Sequence, residues 1–282
     1  MLGWLAKLQT IDRRWLYLAT VVLLIVPFVV AIPMPPGSMS PATMGLYEAV
    51  DSCPPDKVVL VDSSWDMGSQ AENYAQLECV VRHLCRKGIR FVVTSVGVTK
   101  FAPDIAYGVI QQIAQGEGRE YGRDWVVLGY VEVGGNIGAV IDGLCRDLHR
   151  ICPADLRGTP VGELPLMQSV RSIRDVHLVY CITYSPPSEW ISMVRGQHGT
   201  PVAFGCMSIM APNYFMFIDS GQLCGMLVGN RGAAEYEDQL GQPGQGTKLI
   251  MVASFGNGII VLAALLGNIG QWAAKRGKRR PQ

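Results

Sequence analysis

The sequence predicts an α/β protein, with a doubly wound, mostly parallel five-stranded Rossmann-like sheet that lies between two transmembrane helices. Five apolar, β-branched runs alternate with segments of helical periodicity, and one long uncharged run lies near each end of the 282-residue chain. Strands that alternate with helices form parallel sheets covered on both faces. Charged residues make up only 17% of the chain, against about 25% in average proteins, and the two uncharged runs account for much of the difference.

The uncharged runs cover residues 15–32 and 249–272. A helix of 18 residues is about 27 Å long at 1.5 Å per residue, and the hydrocarbon core of a bilayer is about 30 Å thick. Both runs are therefore predicted to span a membrane. Ile32 and Pro33 stand where a signal-peptide cleavage site needs small residues, so we expect the first run to be retained as an anchor.

Lysine and arginine residues orient the two predicted spans. They precede the first span and follow the second, whereas residues 33–56 between them contain none. Because basic residues favour the cytoplasmic side, we expect both termini to be cytoplasmic and the main domain to be extracytoplasmic, in the cell membrane. The expected organisation is a cytoplasmic interfacial helix (1–14), transmembrane helix 1 (15–32), a Pro-rich linker and short helix (33–57), an extracytoplasmic α/β domain (58–240), a linker (241–248), transmembrane helix 2 (249–272) and a basic cytoplasmic tail (273–282).

Composition also bounds the partners. The formal net charge of +1 argues against a nucleic-acid partner, which would require a basic face. The lipid bilayer is the partner that the two apolar runs predict. The eight cysteines are scattered over predicted helices and strands, a distribution more typical of core packing than of a disulfide framework.

Residues 210–238 have the pattern of a helix with small residues at every fourth position. Gly221, Gly225 and Gly229 would share one face of it, and such a flat groove lets another backbone approach closely. The groove would pack either against the domain's own sheet or against another subunit. Arg231 and Glu235 are four residues apart and would form an ion pair at the end of the helix.

The second predicted span has a related pattern. Gly256 and Asn257 recur after 11 residues as Gly267 and Asn268, which returns both pairs to nearly the same helical face. Asparagine in hydrocarbon is unfavourable without a hydrogen-bonding partner. This face is therefore predicted to contact another helix, which would be the first span of the same chain or a span of a neighbouring subunit in a homo-oligomer or a mixed assembly.

A first group of candidate ligand-binding residues follows the first strand, because ligands of doubly wound sheets bind outside the strand carboxyl ends. Asp62, Ser64 and Asp66 form a D-x-S-x-D pattern that partly resembles the D-x-S-x-S motif of von Willebrand A-type domains. Oxygen ligands on alternate residues suit a hard cation such as magnesium. The alternative is that Asp62 and Asp66 cap and solvate a strand-to-helix turn.

Further pocket candidates follow the third and fourth strands, namely Glu132, Gly134 and Asn136 in one loop and Tyr184 in the other. Glycines at the start of a helix let its amides approach a phosphate. The full G-x-G-x-x-G spacing is absent, however, and a glycine turn that packs helix on sheet is the alternative. The sequence predicts no cofactor.

The sequence also predicts no catalytic residue. The patterns G-x-S-x-G, H-E-x-x-H and C-x-x-C do not occur, and none of the four histidines follows the carboxyl end of a predicted strand. Nucleophilic, zinc and dithiol chemistry are therefore disfavoured.

Three segments carry a resemblance to a family. The IDRRWLYL lead into the first span, together with SGQL-x-G-x-L-x-G and GAAEYE in residues 220–237, is similar to an uncharacterised family of two-span prokaryotic membrane proteins. The resemblance covers nearly the full chain. It implies the two-span architecture and no activity, ligand or catalytic residue.

Three hypotheses about function follow from these patterns. The leading one is a non-enzymatic subunit of an oligomeric membrane assembly, with an extracytoplasmic α/β domain for protein–protein contacts. The second is a membrane-anchored sensor or receptor that binds a small molecule or ion at the strand carboxyl ends. The third is a metal-dependent hydrolase centred on Asp62 and Asp66.

Overall fold

The computed structural model describes residues 12–30, 39–97 and 99–278. The chain divides into two compact units, one formed by Met1–Pro33 with Lys248–Gln282 and the other by Met34–Thr247. Most of the predicted interfacial helix, the Pro-rich exit from the first span and the end of the basic tail lie outside the described residues. Those three features therefore stay predictions.

Strands and helices alternate in the second unit, as the two sequence periodicities predict. A short helix, α2, precedes the first strand, and a helix, α10, follows the last. The elements in order are α2 (Pro41–Asp51), β1 (Val58–Ser64), α3 (Gln70–Lys87), β2 (Phe91–Val96), α4 (Ala102–Gly116), β3 (Trp125–Val131), α5 (Ile137–Arg146), α6 (Leu148–Ile151), α7 (Pro165–Gln168), β4 (Val176–Thr183), α8 (Ser188–Trp190, continued by a π-helical segment, Ile191–Gly196), β5 (Val202–Cys206), α9 (Phe215–Asp219), β6 (Gly225–Val228) and α10 (Gly229–Gln239).

The six strands form one sheet in the order β3-β2-β1-β4-β5-β6, and every neighbouring pair is parallel. This is the strand order of doubly wound, dinucleotide-binding folds. The predicted α/β fold with a mostly parallel Rossmann-like sheet is therefore confirmed. The predicted number of five strands is wrong, because the edge strand β6 is a sixth.

Helices cover both faces of the sheet. On one face α3, α4 and α10 bury side chains such as Leu77, Ile110 and Tyr236 against β1 and its neighbours. On the other face α5, α7 and the segment around Trp190 pack against Leu60 and the same strands. Since β1 is buried along its whole length, its apolar residues form a continuous run rather than an alternating one, as expected for a central parallel strand.

The continuous helix predicted over residues 210–238 is wrong. The chain there forms the short helix α9, then strand β6 and then α10. Gly221 has a φ of 71° and Gly229 a φ of 51°, a conformation that interrupts a helix and that glycine adopts without steric cost. The four-residue spacing arises because a turn, a four-residue strand and the start of a helix follow one another. Gly221, Gly225 and Gly229 therefore share no helical face.

Gly225 instead allows α2 to approach the edge of the sheet. A Cβ atom on Gly225 would overlap the backbone nitrogen of Leu46, and a Cβ atom on Gly45 would overlap the carbonyl oxygen of Cys224. The two backbones can meet only because each contributes a glycine. α2 thereby covers β6, whose open edge would otherwise be a template for pairing with another chain.

The other unit contains α1 (Arg13–Val29) and most of α11 (Gln245–Lys278). Within the described residues, the stretch Gln245–Ala273 is the one helix long and apolar enough to cross a membrane, and α1 is apolar over the shorter stretch Arg14–Val26. Length and composition thus support one membrane-crossing helix, near the C-terminus. The first span stays a prediction.

Candidate functional site

The carboxyl ends of β1 and β4 form the switch point of the sheet. These strands are neighbours, while β2 and β3 continue the sheet beyond β1, and β5 and β6 continue it beyond β4. Ser64 pairs with Thr183 at this end. Doubly wound folds bind ligands in the crevice that opens at such a point, so the predicted pocket residues are expected here.

Asp62 lies inside β1 rather than in the loop after it. The residue is 1% exposed, and its Oδ1 atom accepts hydrogen bonds from Ser64 Oγ (2.8 Å), Val96 N (3.0 Å) and Thr94 Oγ1 (3.3 Å). Burial raises the pKa of Asp62 to about 7, although these donors act in the opposite direction. The switch point therefore contains a carboxyl group that exchanges its proton near neutral pH.

Ser64 belongs to the same buried cluster. Its Oγ atom accepts a hydrogen bond from Val96 N (2.7 Å) while it donates to Asp62. On β2, Ser95 is fully buried, and its hydroxyl has no hydrogen-bond partner within the described part of the chain. Asp62, Ser64 and Thr94 are thus hydrogen-bonded within the sheet itself, whereas the Ser95 hydroxyl is not.

Asp66 has a separate role in the turn that follows. Its Oδ1 atom accepts hydrogen bonds from Ser69 N (2.9 Å) and Ser69 Oγ (3.1 Å), immediately before α3 begins at Gln70. This is the turn-capping alternative to metal ligation. In the described residues no group of three or more His, Cys, Asp or Glu side chains is placed to hold a metal ion.

The loop after β3 is exposed, and its residues shape the start of α5. Gly134 and Gly135 have φ values of 51° and 82°, and Asn136 caps α5 by accepting a hydrogen bond from Ala139 N (3.0 Å). Glu132 is exposed in the same loop. This loop and the Asp62 cluster lie at the same edge of the sheet, because β1, β2 and β3 are parallel. β3 is two strands away from β1, however, and no hydrogen bond of the described residues joins the loop to the cluster.

Tyr184 follows β4 directly and is 38% exposed. Since β4 is the neighbour of β1, Tyr184 follows a strand end at the switch point. The structure thus brings Asp62, Ser64 and Tyr184 to adjacent strand ends, while Asp66 and Asn136 serve their own turns.

A second polar cluster, which sequence reasoning missed, lies on α10 in the segment Glu235, Tyr236 and Glu237, called here the Glu-Tyr-Glu segment. All three residues are buried. Glu235 accepts hydrogen bonds from Ser40 N and Thr43 Oγ1, each at 3.0 Å. It therefore provides the acceptor for two donors at the start of α2, which lies near the other end of the chain.

Glu235 also forms the ion pair predicted from spacing. Arg231 Nε lies 3.0 Å from Glu235 Oε1, which confirms that prediction. The ion pair and the hydrogen bonds from Ser40 and Thr43 lower the pKa of Glu235 against the opposing effect of burial. The residue therefore remains a carboxylate where α2 begins.

Tyr236 binds α3. Its hydroxyl lies 2.7 Å from His83 Nδ1, and His83 Nε2 lies 3.3 Å from Asp51 Oδ1 at the end of α2. The ring of Tyr47 stacks on His83 with a centroid distance of 4.6 Å. Burial lowers the pKa of His83, and Asp51 opposes this shift. One chain of contacts thus joins α2, α3 and α10.

Glu237 holds the start of α11. Its carboxylate accepts hydrogen bonds from Gly244 N, Gly246 N and Thr247 N, each at 2.8 Å, and from Thr247 Oγ1 at 2.6 Å. Burial raises the pKa of Glu237 and these donors oppose the shift. A carboxylate among the free N–H groups of a helix N-terminus is electrostatically favourable.

The Glu-Tyr-Glu segment therefore binds the starts of two helices. Glu235 binds the start of α2, which follows the first uncharged run, and Glu237 binds the start of α11, which contains the second. The sequence contained a signal for this role. Two carboxylates beside Gly232, Ala233 and Ala234 indicate a helix that is closely packed and carries buried charge, and a buried carboxylate requires specific partners.

In α11, the predicted small and polar positions divide between two sides of the helix. A Cβ atom on Gly256 would lie 3.5 Å from Leu24 Cδ2 of α1, so Gly256 faces the predicted first span. Asn257, Gly267 and Asn268 are exposed. Neither asparagine side chain has a hydrogen-bond partner in the part of the chain that the structure describes.

No family model, curated protein or solved structure matches this chain. Its function is therefore inferred from its own residues.

Proposed function

We propose that this chain is a non-enzymatic subunit of an oligomeric membrane assembly, in which a second copy of α11 covers the face that carries Asn257 and Asn268. The observation that carries the proposal is the position of these two side chains. Both are exposed on an apolar helix, and 11 residues of helix turn them only about 20° apart. They form one polar ridge rather than two scattered sites.

The ridge points away from α1. Positions of α11 that are less exposed recur on the other side of the helix, at Phe255, Gly256, Ile259, Ala263 and Leu266. Within a bilayer, the opposite face would therefore present two amide groups to hydrocarbon. An uncompensated amide there is unfavourable, and an interhelical hydrogen bond between such groups contributes about 0.6–2 kcal/mol.

A second copy of the same helix satisfies this requirement. An asparagine side chain both donates and accepts hydrogen bonds, so Asn257 and Asn268 can pair with their own counterparts across a two-fold axis. Interfaces of this self-complementary kind are the commonest in homo-oligomers.

The α/β domain supports a structural role. Its buried carboxylates Glu235 and Glu237 bind helix starts. The contacts of Glu237 bind residues 244–247, at the beginning of α11, to α10.

The proposal includes the orientation in the membrane. Two spans, at α1 and α11, place both termini in the cytoplasm and the α/β domain outside, as the distribution of basic residues favours. A fluorescent protein fused after Gln282 tests this orientation. Fluorescence is the expected result, because the fused protein would then lie in the cytoplasm, where it folds. A full-length fusion that does not fluoresce would contradict the proposed orientation.

One observation favours a second function, that of a sensor. Asp62 has a pKa of about 7 and lies near the switch point, where the half-exposed Tyr184 follows the neighbouring strand β4. A proton or a small ligand that binds at the switch point would change the charge of the Asp62 carboxyl group on the central strand β1. A screen of the full chain against ions, sugars and amino acids by thermal shift tests this, since a ligand at 100 times its dissociation constant adds about 2.7 kcal/mol.

The hydrolase hypothesis has no comparable support, because Asp62 and Asp66 bind different partners inside the chain. The experiment that tests the leading proposal is native mass spectrometry of the full chain, released from its own membrane in a mild detergent. A particle of two or more copies is expected. A particle with the mass of one chain would contradict the proposal.

A further inference from the structure

A cavity of about 260 Å³ opens near the amino ends of β4 and β5, at the edge of the sheet opposite the switch point. Neither the assembly nor the sensor proposal uses it. Its walls come from the end of α5, from the turn before β4 and from the turn before β5. The lining residues are Cys145, Arg146, Ser172, Ile173, Arg174 and His198, and the space is called here the basic cavity.

The lining is rich in nitrogen donors. Arg146, Arg174 and His198 all contribute to it, and the lining includes no carboxylate. Arg146 pairs with Asp142 at 2.9 Å. The side chains of Arg174 and His198 form no ion pair or hydrogen bond with the residues that the structure describes. Two donor groups at this cavity are therefore available to a ligand.

The nearby carboxylates are already occupied. Asp175 Oδ2 accepts hydrogen bonds from Arg171 N and Ser172 N, each at 2.9 Å, and this capping box fixes the turn that carries Arg174. Asp147 pairs with Arg171 at 3.3 Å. Neither carboxylate forms an ion pair with Arg174, so its positive charge stays at the cavity.

Further contacts make the site both more positive and partly apolar. Lys57 donates a hydrogen bond to the carbonyl oxygen of Arg174, which places an ammonium group on the same turn. Cys145 and Ile173 are buried and supply an apolar side. A ligand with an anionic group and a short carbon skeleton matches this combination.

We propose that the basic cavity binds a small phosphate-bearing molecule, with the phosphate group between Arg174 and His198 and the carbon skeleton against Ile173. A guanidinium group presents parallel N–H donors that match two phosphate oxygens. The volume lies below the 300–1,000 Å³ typical of pockets for drug-sized ligands, which favours a ligand the size of a phosphorylated glycerol. The same chemistry occurs in a free phosphate ester and in a phospholipid headgroup.

Thermal denaturation of the full chain in a neutral, phosphate-free detergent tests the proposal. Glycerol 3-phosphate is one probe and dihexanoyl phosphatidylglycerol is the other, each compared with sodium chloride at equal ionic strength. We expect at least one probe to raise the Tm by about 3 °C at saturation, since 1 kcal/mol of ligand binding shifts a protein of this size by about 2–4 °C. A rise with the ester alone identifies a free ester as the ligand class, and a rise with the lipid alone identifies a headgroup.

Matched variants separate the cavity from general electrostatic attraction. In Arg174→Gln/His198→Gln the rise in Tm should disappear. In Arg150→Gln it should persist, because Arg150 is an exposed arginine on the neighbouring α6 that does not line the cavity. No rise with either probe in the unmodified chain, or a rise that the double variant retains, would overturn the proposal.

Discussion

Glu237 and Thr247 are joined by two hydrogen bonds, since Glu237 Oε2 accepts one from the backbone N–H of Thr247 (2.8 Å) and one from its hydroxyl (2.6 Å). Gly244 and Gly246 donate to the same carboxylate. The residue that completes the GAAEYE segment therefore determines where α11 begins. α11 is also the helix that is long and apolar enough to cross a membrane.

Replacing Glu237 by glutamine should destabilise the domain. Glutamine keeps the size of the side chain but loses the charge, and its amide nitrogen faces N–H groups that need an acceptor. We expect the free energy of unfolding to fall by about 2–3 kcal/mol, because hydrogen bonds to a buried charged group are among the strongest in proteins. Thermal denaturation of the full chain in detergent measures this.

Asp238→Asn is the matched control for Glu237→Gln. Asp238 is exposed on the same helix, and surface substitutions of this kind change stability by about 0.5 kcal/mol or less. Equal Tm values for the two variants would show that the carboxylate of Glu237 does not stabilise the start of α11.

The close approach of α2 to β6 makes a second prediction. Gly225→Ala adds a Cβ atom that overlaps Leu46 N, so either α2 or the edge strand must move, and we expect a loss of several kcal/mol or a failure to fold. Gly108→Ala is the control, because Gly108 lies in α4 with open space where its Cβ would stand. Alanine there should stabilise the helix by about 0.5–1 kcal/mol.

The expression yield and the Tm of Gly225→Ala, each compared with that of Gly108→Ala, test this prediction. A Gly225→Ala protein as stable as Gly108→Ala would mean that α2 does not lie against β6 as the structure has it.

The glycines also show which parts of the fold a sequence can predict. The central strands were predictable because a strand buried on both faces is a continuous apolar run. β6 was not, because it has only four residues and begins with a glycine whose role depends on Gly45, far away in the chain. A spacing of four residues then resembled a helical face, although the backbone between the glycines changes conformation twice.

The contacts of the candidate sites were also predictable only in part. The pair between Arg231 and Glu235 was predictable, because residues four apart on a helix are neighbours. The contacts of Glu237 with Thr247 and of Glu235 with Ser40 were not, since they depend on how separate helices meet. Asp62 was expected in a loop because a polar residue ends an apolar run, yet the strand continues through it to Ser64.

Asp62 predicts an unusual dependence of stability on pH. Its pKa of about 7 in the folded protein lies above the ordinary value of about 3.9, so the folded state keeps a proton that the unfolded state releases between about pH 4 and 7. The contribution of Asp62 to stability is therefore complete below about pH 4, falls as the pH rises through 7, and is lost above that. The full effect is on the order of 4 kcal/mol.

Asp62→Asn removes this contribution while it keeps an acceptor for Val96 N. The variant should gain stability over the unmodified chain as the pH rises from 5 to 8, and the Tm difference measured at each pH should grow accordingly. Asp219→Asn, at an exposed carboxylate, should leave the profile of the unmodified chain unchanged. A Tm difference for Asp62→Asn that is constant from pH 5 to 8 would contradict the prediction.

The polar ridge of α11 makes the prediction on which the proposed function depends. In Asn257→Leu/Asn268→Leu both amides are replaced by apolar side chains that suit hydrocarbon, so the helix should remain in the membrane but lose the interhelical hydrogen bonds. Ser254→Ala is the matched control, since Ser254 already donates to Ile250 O of its own helix (2.8 Å) and its loss should not change assembly.

Native mass spectrometry of these three proteins in the same mild detergent is the measurement to make. We predict particles of two or more copies for the unmodified chain and for Ser254→Ala, and single chains for the double asparagine variant. A single chain in every case, or an unchanged oligomer in the double variant, would show that α11 does not assemble the protein through Asn257 and Asn268.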